Sequence, residues 1–177
     1  MQTDNFRKKA CSVESKIQVA LELFSGANES CTEPHWTRRI KEIVAGLAKQ
    51  EKNEEIFAAH SHKMFSDHGE WLFDITWWSE SNEGSIYRLN NLPLVVECEW
   101  KDNISDIQYD FEKLVIARAD HRLMIFQGAS TDFIKQSIKH LNSVIYGYKH
   151  TLKGDRYMFA GVNYNNGEFI FDLTVVE

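Results

Sequence analysis

A chain of 177 residues, 43% hydrophobic and 26% charged, is long enough to close one sizeable core and short for two, so the sequence predicts a single domain over residues 1–177. Its net charge of -6 excludes a global positive field that would draw it to nucleic acid or to an anionic membrane, and any nucleic-acid contact must then rest on a local patch. No segment approaches the ~20 apolar residues needed to span a bilayer, and the N-terminal "MQTDNFRKKACSVESK" lacks the apolar stretch of a signal peptide, which together predict a cytoplasmic protein with no membrane partner.

Taken in chain order, the first helical stripe is Ile17, Ala20, Leu21 and Phe24, spaced three or four apart and ending at Gly26. A second helix starts near Thr32 with Pro34 in its first turn, repeats Trp36, Ile40, Ile43, Val44 and Leu47, and runs to about Glu51. The period then changes to two. "EIFAAHSHKMF" (55–65) reads as a first strand, Asp67-His68-Gly69 as a turn, and "EWLFDITWW" (70–78) as a second strand. In that second strand Trp71, Phe73, Ile75 and Trp77 share one face, and Leu72, Asp74, Thr76 and Trp78 the other. "SESNEGS" reads as a polar loop leading through Asn90-Asn91 and Pro93 to a third strand, "LVVECEW", which sets Leu94, Val96, Cys98 and Trp100 against Val95, Glu97, Glu99 and Lys101.

A helix starting near Asn103 follows, with Ile104, Ile107, Phe111, Leu114 and Arg118 on one stripe. "HRLMIFQG" (121–128) is a short continuous apolar strand of the kind buried on both faces. Thr131 caps another helix bearing Ile134, Ile138, Leu141, Ile145 and Tyr148, and the chain ends in two strands joined by Asn165-Asn166-Gly167, a strong hairpin signal. The expected architecture is α/β, a mixed central sheet flanked by helices, with the third and fourth strands parallel across a helical crossover.

Asp74, Glu97 and Glu99 are the candidate chemistry. If the second and third strands are neighbours, three carboxylates converge near the sheet surface, the oxygen set that Mg²⁺ or Mn²⁺ takes, with Lys101 or Lys113 to complete the site. Alternating Glu97, Glu99 and Lys101 is also what a solvated strand face shows, but a lone Asp74 amid Trp, Leu, Phe and Ile is costly to bury without a partner.

The order helix, three strands, helix, strand, with Asp on the second strand and Glu-x-Glu or Glu-x-Lys on the third, resembles the PD-(D/E)XK nucleases, the restriction-endonuclease-like superfamily. The resemblance covers about residues 33–128 as an αβββαβ core, leaving an accessory N-terminal helix within 1–32 and a helix and hairpin within 129–177; Phe73 stands where the family has Pro before the Asp. It implies a metal-dependent phosphodiesterase acting on DNA, with Asp74, Glu97 and Glu99 toward Mg²⁺ or Mn²⁺, and with a homodimer suited to cutting both strands. Two registers are open. Glu99-Trp100-Lys101 is a literal E-x-K, whereas Glu97 closes the apolar run and leaves the lysine to the following helix, where "YDFEKL" offers Lys113. The second is preferred, because Lys101 falls where the strand is ending. The alternative class is a nuclease-like fold without catalysis, serving as a protein-interaction or regulatory module, which the acidic net charge and the missing Pro favour.

Gln127 is a candidate for reaching substrate and Glu42 for an outer metal contact. The segment from Lys135 to Arg156, with Lys139, His140, Lys149, His150 and Lys153, is either a solvated face or a phosphate-contacting surface. His60 and His62, with His68, invite a zinc reading, but nothing nearby completes a zinc motif. Cys11, Cys31 and Cys98 are odd in number and widely spaced, which reads as free thiols without a reactive-cysteine context, Cys98 being a core residue.

Overall fold

The computed structural model describes residues 6, 8–27, 33–50, 56–60, 71–83 and 86–177. Helices α1 (Ser12–Ala27), α2 (Glu33–Leu47), α3 (Ile104–Ile116) and α4 (Thr131–Gly147) flank a six-stranded sheet. Its strands are β1 (Phe57–His60), β2 (Ile75–Glu83), β3 (Ile86–Glu99), β4 (His121–Gly128), β5 (Arg156–Asn163) and β6 (Glu168–Val175), in spatial order of sequence. The pairs β3–β4 and β4–β5 are parallel and the rest antiparallel, so the sheet is mixed and the chain is α/β.

The alternation along each strand divides the apolar residues between two cores. Leu94, Val96, Leu123 and Ile125 meet Ile17, Leu21, Ile40 and Val44 of α1 and α2 on one face. Val95, Met124, Phe126 and Phe159 meet Ile107, Phe111, Ile134 and Leu141 of α3 and α4 on the other. Each fully buried side chain of this size contributes about 1.5–3 kcal/mol, and the helical stripes expected from the sequence are the faces that supply them, except that Arg118 lies beyond the end of α3 and is exposed. A Cβ at Gly161 of β5 would run into Ile134, so the missing side chain lets α4 lie close to the sheet. Gly167, with φ of 71°, makes the turn of the expected β5–β6 hairpin. Among the described residues no helix is long and apolar enough to cross a membrane.

Several boundaries differ from those expected. β2 begins at Ile75: of the expected strand 70–78, Glu70 lies outside the described residues, and Trp71 and Phe73 form only an isolated bridge around Leu72, whose φ of 66° breaks the strand. The two-residue alternation therefore restarts at Ile75, and Phe73 packs with the core beneath α3 and α4, away from Ile75 and Trp77. The stretch expected as a polar loop continues the ladder, Ser79 to Glu83 pairing with Ile86 to Asn91, because backbone pairing there does not depend on apolar side chains. Pro93 fits within β3 since the register shifts between Trp77 and Ser79, where no ladder hydrogen bond is needed from it. Ser130, one residue before Thr131, is the N-cap of α4, its hydroxyl accepting from Phe133 N at 3.1 Å. Of the expected strand 55–65, Phe57–His60 form β1, while residues 55 and 61–65, His62 among them, the expected turn at Asp67-His68-Gly69, and Cys31 lie outside the described residues.

Candidate functional site

The β2–β3 register pairs Ile75 with Val96, which sets Asp74 opposite Glu97 one step further along. The turn at Leu72 holds Asp74 outside the ladder, where its Oδ2 accepts from Cys98 N at 2.8 Å and closes the open end of the β2–β3 pairing. Its Oδ1 accepts from Lys41 Nζ, delivered by α2 and buried.

Glu97 projects from the opposite face of β3 to Cys98 and is 3% exposed. Lys113, on α3, reaches it with Nζ 3.4 Å from Oε2 and is itself held 2.7 Å from Asp110 Oδ1, one turn back. α3 is positioned for this by its N-cap: Asn103 Oδ1 accepts from Asp106 N at 3.0 Å, and Asp106 Oδ2 accepts from the Asn103 amide. Burial first, and then the charge of Asp74, push the Glu97 carboxyl up to about 8, against the opposing pull of Lys113. The Lys113 ammonium is raised: burial opposes its charge, but the hydrogen bond to Asp110 and the charges of Glu97 and Asp110 outweigh it. Burial also raises Glu99, and although Lys101 N donates to it at 2.8 Å, a hydrogen bond shared with the Asp110 carboxyl adds to the rise.

The structure thus brings together Asp74, Glu97 and Lys113, with Glu99 alongside through Asp110. Lys101 is not part of this group. Its ammonium is exposed and lies 3.4 Å from Asp106 Oδ1, because the strand ends at Glu99 and the chain turns into α3 there. Asp74, Glu97 and Glu99 do not bring three ligand oxygens within 4.8 Å of one another; Asp74 is paired with Lys41, and Glu99 shares a hydrogen bond with Asp110. Of these carboxylates Glu97 offers an uncommitted oxygen to a cation: its Oε1 is buried and has no hydrogen-bond partner among the described residues, whereas the Asp74 oxygens accept from Lys41 and from Cys98 N.

Other sequence candidates are committed elsewhere. Glu42 is clamped by Arg38 Nε at 2.7 Å and Arg39 Nη1 at 3.0 Å on its own helix, so it is not an outer metal contact. Gln127 donates to the Trp100 carbonyl, tying the ends of β3 and β4 together. His60 is fully buried in β1. Lys135, Lys139, His140, Lys149, His150 and Lys153 are exposed, whereas Arg156 is withdrawn into a pair with Glu14, Nη2 to Oε2 at 2.6 Å.

Two features escaped the sequence. Lys41 sits beside Glu42 at the edge of the Ile40–Val44 stripe, and only the folded rotation of α2 decides which of the two faces the sheet. Cys11, Glu14 and His121 form the one trio of candidate ligand atoms within 4.8 Å among the described residues. The Cys11-x-x-Glu14 spacing ahead of the α1 stripe carries a capping signal, but nothing in the sequence ties it to His121. No family model, curated protein or solved structure matches the chain.

Proposed function

We propose that the chain is a metal-dependent phosphodiesterase of the PD-(D/E)XK type that cleaves DNA. The observation that carries this reading is Lys113 standing 3.4 Å from a buried Glu97 that faces Asp74 across the end of the β2–β3 ladder. The strand order and the parallel β3–α3–β4 crossover support it, being the arrangement that the αβββαβ core requires.

Asp74 and Glu97 would hold Mg²⁺ or Mn²⁺, with Glu99 the nearest further acid. The bound cation supplies Lewis acidity toward a phosphate oxygen and toward the attacking water. Lys113 orients the water by hydrogen bonding and offsets negative charge developing on the phosphate. Asp110 keeps the Lys113 side chain extended toward Glu97. Asp74 keeps its carboxylate aimed through the fixed Cys98 N–H. The exposed lysines of α4 and the loop after it, on the neighbour of α3, supply the local positive surface that an acidic chain needs to meet a phosphate backbone.

A Mn²⁺- or Mg²⁺-dependent cleavage assay on single- and double-stranded DNA tests the reading. Glu97→Gln and Asp74→Asn should each abolish cleavage, and undiminished cleavage by either removes the assignment. One observation favours the second reading, a fold of this kind used for interaction without catalysis: the Lys41 ammonium already neutralises Asp74. Calorimetric titration with Mn²⁺ separates the two, since the interaction module shows no binding that depends on Glu97.

A further inference from the structure

Cys11 is the N-cap of α1. Its carbonyl accepts from Ser15 N at 3.1 Å, and its N–H donates to Glu14 Oε2 at 2.9 Å, the returning half of a capping box. The partly exposed thiol therefore sits at the positive end of a 16-residue helix. His121, 110 residues away at the start of β4, directs Nε2 to 3.7 Å from Cys11 Sγ. Its Nδ1 is 3.1 Å from Glu14 Oε1, and an ionised carboxylate can only accept, so Nδ1 carries the hydrogen and, in the neutral ring, the Nε2 lone pair faces the thiol.

Three ligand-type atoms gathered in this way invite a metal, but Glu14 is spent. Oε1 accepts from His121 and from Arg156 Nε at 2.8 Å, and Oε2 accepts from Cys11 N and from Arg156 Nη2 at 2.6 Å. A guanidinium bound to both oxygens repels a cation, and only sulfur and Nε2 remain as ligands. What is left is a nucleophile, a base within reach of it, and a buried carboxylate that orients the base. The positive helix end and the imidazole are the surroundings that make a thiol reactive.

We propose that Cys11 is an activated nucleophilic thiol whose reaction partner is a small hydroperoxide, with His121 carrying the proton and Glu14 orienting it. His121 Nε2 takes the thiol proton, and the sulfur attacks the hydroxyl oxygen of the hydroperoxide. An S–O bond forms as the O–O bond breaks, the attacked oxygen keeping its hydrogen. Sulfur is oxidised by two electrons to a sulfenic acid and the peroxide is reduced. The departing hydroxide or alkoxide collects the proton from Nε2 and leaves as water or alcohol. A hydroperoxide is favoured over other electrophiles because its leaving oxygen needs the proton that the imidazolium holds beside the sulfur. The partial burial of Cys11 restricts the partner to a small one.

The test uses the full chain carrying Cys31→Ser, treated with hydrogen peroxide and dimedone, with peptide mass mapping, and in parallel with iodoacetamide, whose iodide leaves without a proton. Cys11 should be trapped as the sulfenic acid at least tenfold faster than glutathione in the same buffer, while buried Cys98 stays unlabelled. His121→Asn should lower the peroxide rate tenfold or more and the iodoacetamide rate by clearly less. Where that variant does not fold, the unsubstituted His121 protein decides alone: its acceleration over glutathione must be larger with peroxide than with iodoacetamide. Oxidation no faster than glutathione, equal effects on both reagents, or stoichiometric zinc that shields Cys11 would each overturn the proposal.

Discussion

Lys113 Nζ stands 3.4 Å from Glu97 Oε2, and although the pair is close, Glu97 remains a poor carboxylate, with a carboxyl pushed up to about 8. The ammonium is shared with Asp110 and is itself substantially exposed, so it does not offset the burial of Glu97 and the charge of Asp74. A pH dependence of stability follows. Below the ordinary value of 4.5 the group is protonated in both folded and unfolded chains and contributes nothing. Between 4.5 and about 8 the unfolded chain ionises it and the folded chain does not, so stability falls as pH rises and the loss is complete above that range. Thermal melts from pH 5 to 9 should show this fall, and Glu97→Gln should flatten it; an unchanged slope in the variant would locate the titration elsewhere.

Cation binding should release a proton at neutral pH. Glu97 is largely protonated there in the free protein, and a bound divalent ion requires the carboxylate. Calorimetric titrations of Mn²⁺ at pH 7 in two buffers of different ionisation enthalpy should give about one proton released per ion bound. Equal heats in both buffers would mean that Glu97 takes no part in binding.

Fold and site were not equally legible. The stripes of α1 to α4 and the continuous apolar run of β4 follow from which residues must be buried, and periodicity records that directly. The start of β2 does not, because a single left-handed Leu72 resets the alternation and leucine carries no signal for it. The same break is what frees Asp74 to reach Cys98 N, so the residue that upset the expected strand also builds the site. Glu97 and Lys113 were readable, one as the acid ending an apolar run and the other as a lysine off its helix stripe. Lys41, Arg156 and His121 were not, since each meets its partner from an element more than thirty residues away.

The two lysines should separate cleanly. If the chain cleaves DNA as proposed, Lys113→Met, which removes the ammonium beside Glu97, should lower cleavage by about a hundredfold or more, in line with the loss of one charge-stabilising donor. Lys101→Met breaks only an exposed contact with Asp106, of the kind that contributes little, and should leave cleavage within about twofold. The reverse ranking in single-turnover rates would move the site two residues along β3.

The Glu14 cluster predicts a second pH effect, on the acid side. Burial alone would raise Glu14, but hydrogen bonds from His121, Arg156 and Cys11 N outweigh it and hold the carboxyl at about 2. The ionised group therefore stabilises the fold fully above 4.5, by about 3 kcal/mol on the linkage relation, and that contribution is lost as pH falls toward 2. Denaturant midpoints between pH 2 and 6 should fall steeply with acid, and much less so in Glu14→Gln.

Lys41→Met tests what the buried ammonium is for. In the folded chain Lys41 supplies positive charge to Asp74, the carboxylate on which a cation held by Asp74 and Glu97 would also draw, so under the proposed function ammonium and metal would compete for it. Removing the ammonium leaves a partly covered carboxylate with only the Cys98 N–H, which should destabilise the metal-free protein by about 2 kcal/mol or more. If Asp74 and Glu97 bind a cation, Mn²⁺ should restore the melting temperature of the variant by more than it raises that of the protein with Lys41 in place, and the variant should bind Mn²⁺ more tightly. If the ammonium has taken over the cation's role in an interaction module, the variant stays destabilised and Mn²⁺ moves neither protein. The same two melts, with and without Mn²⁺, therefore decide between the two readings without any substrate.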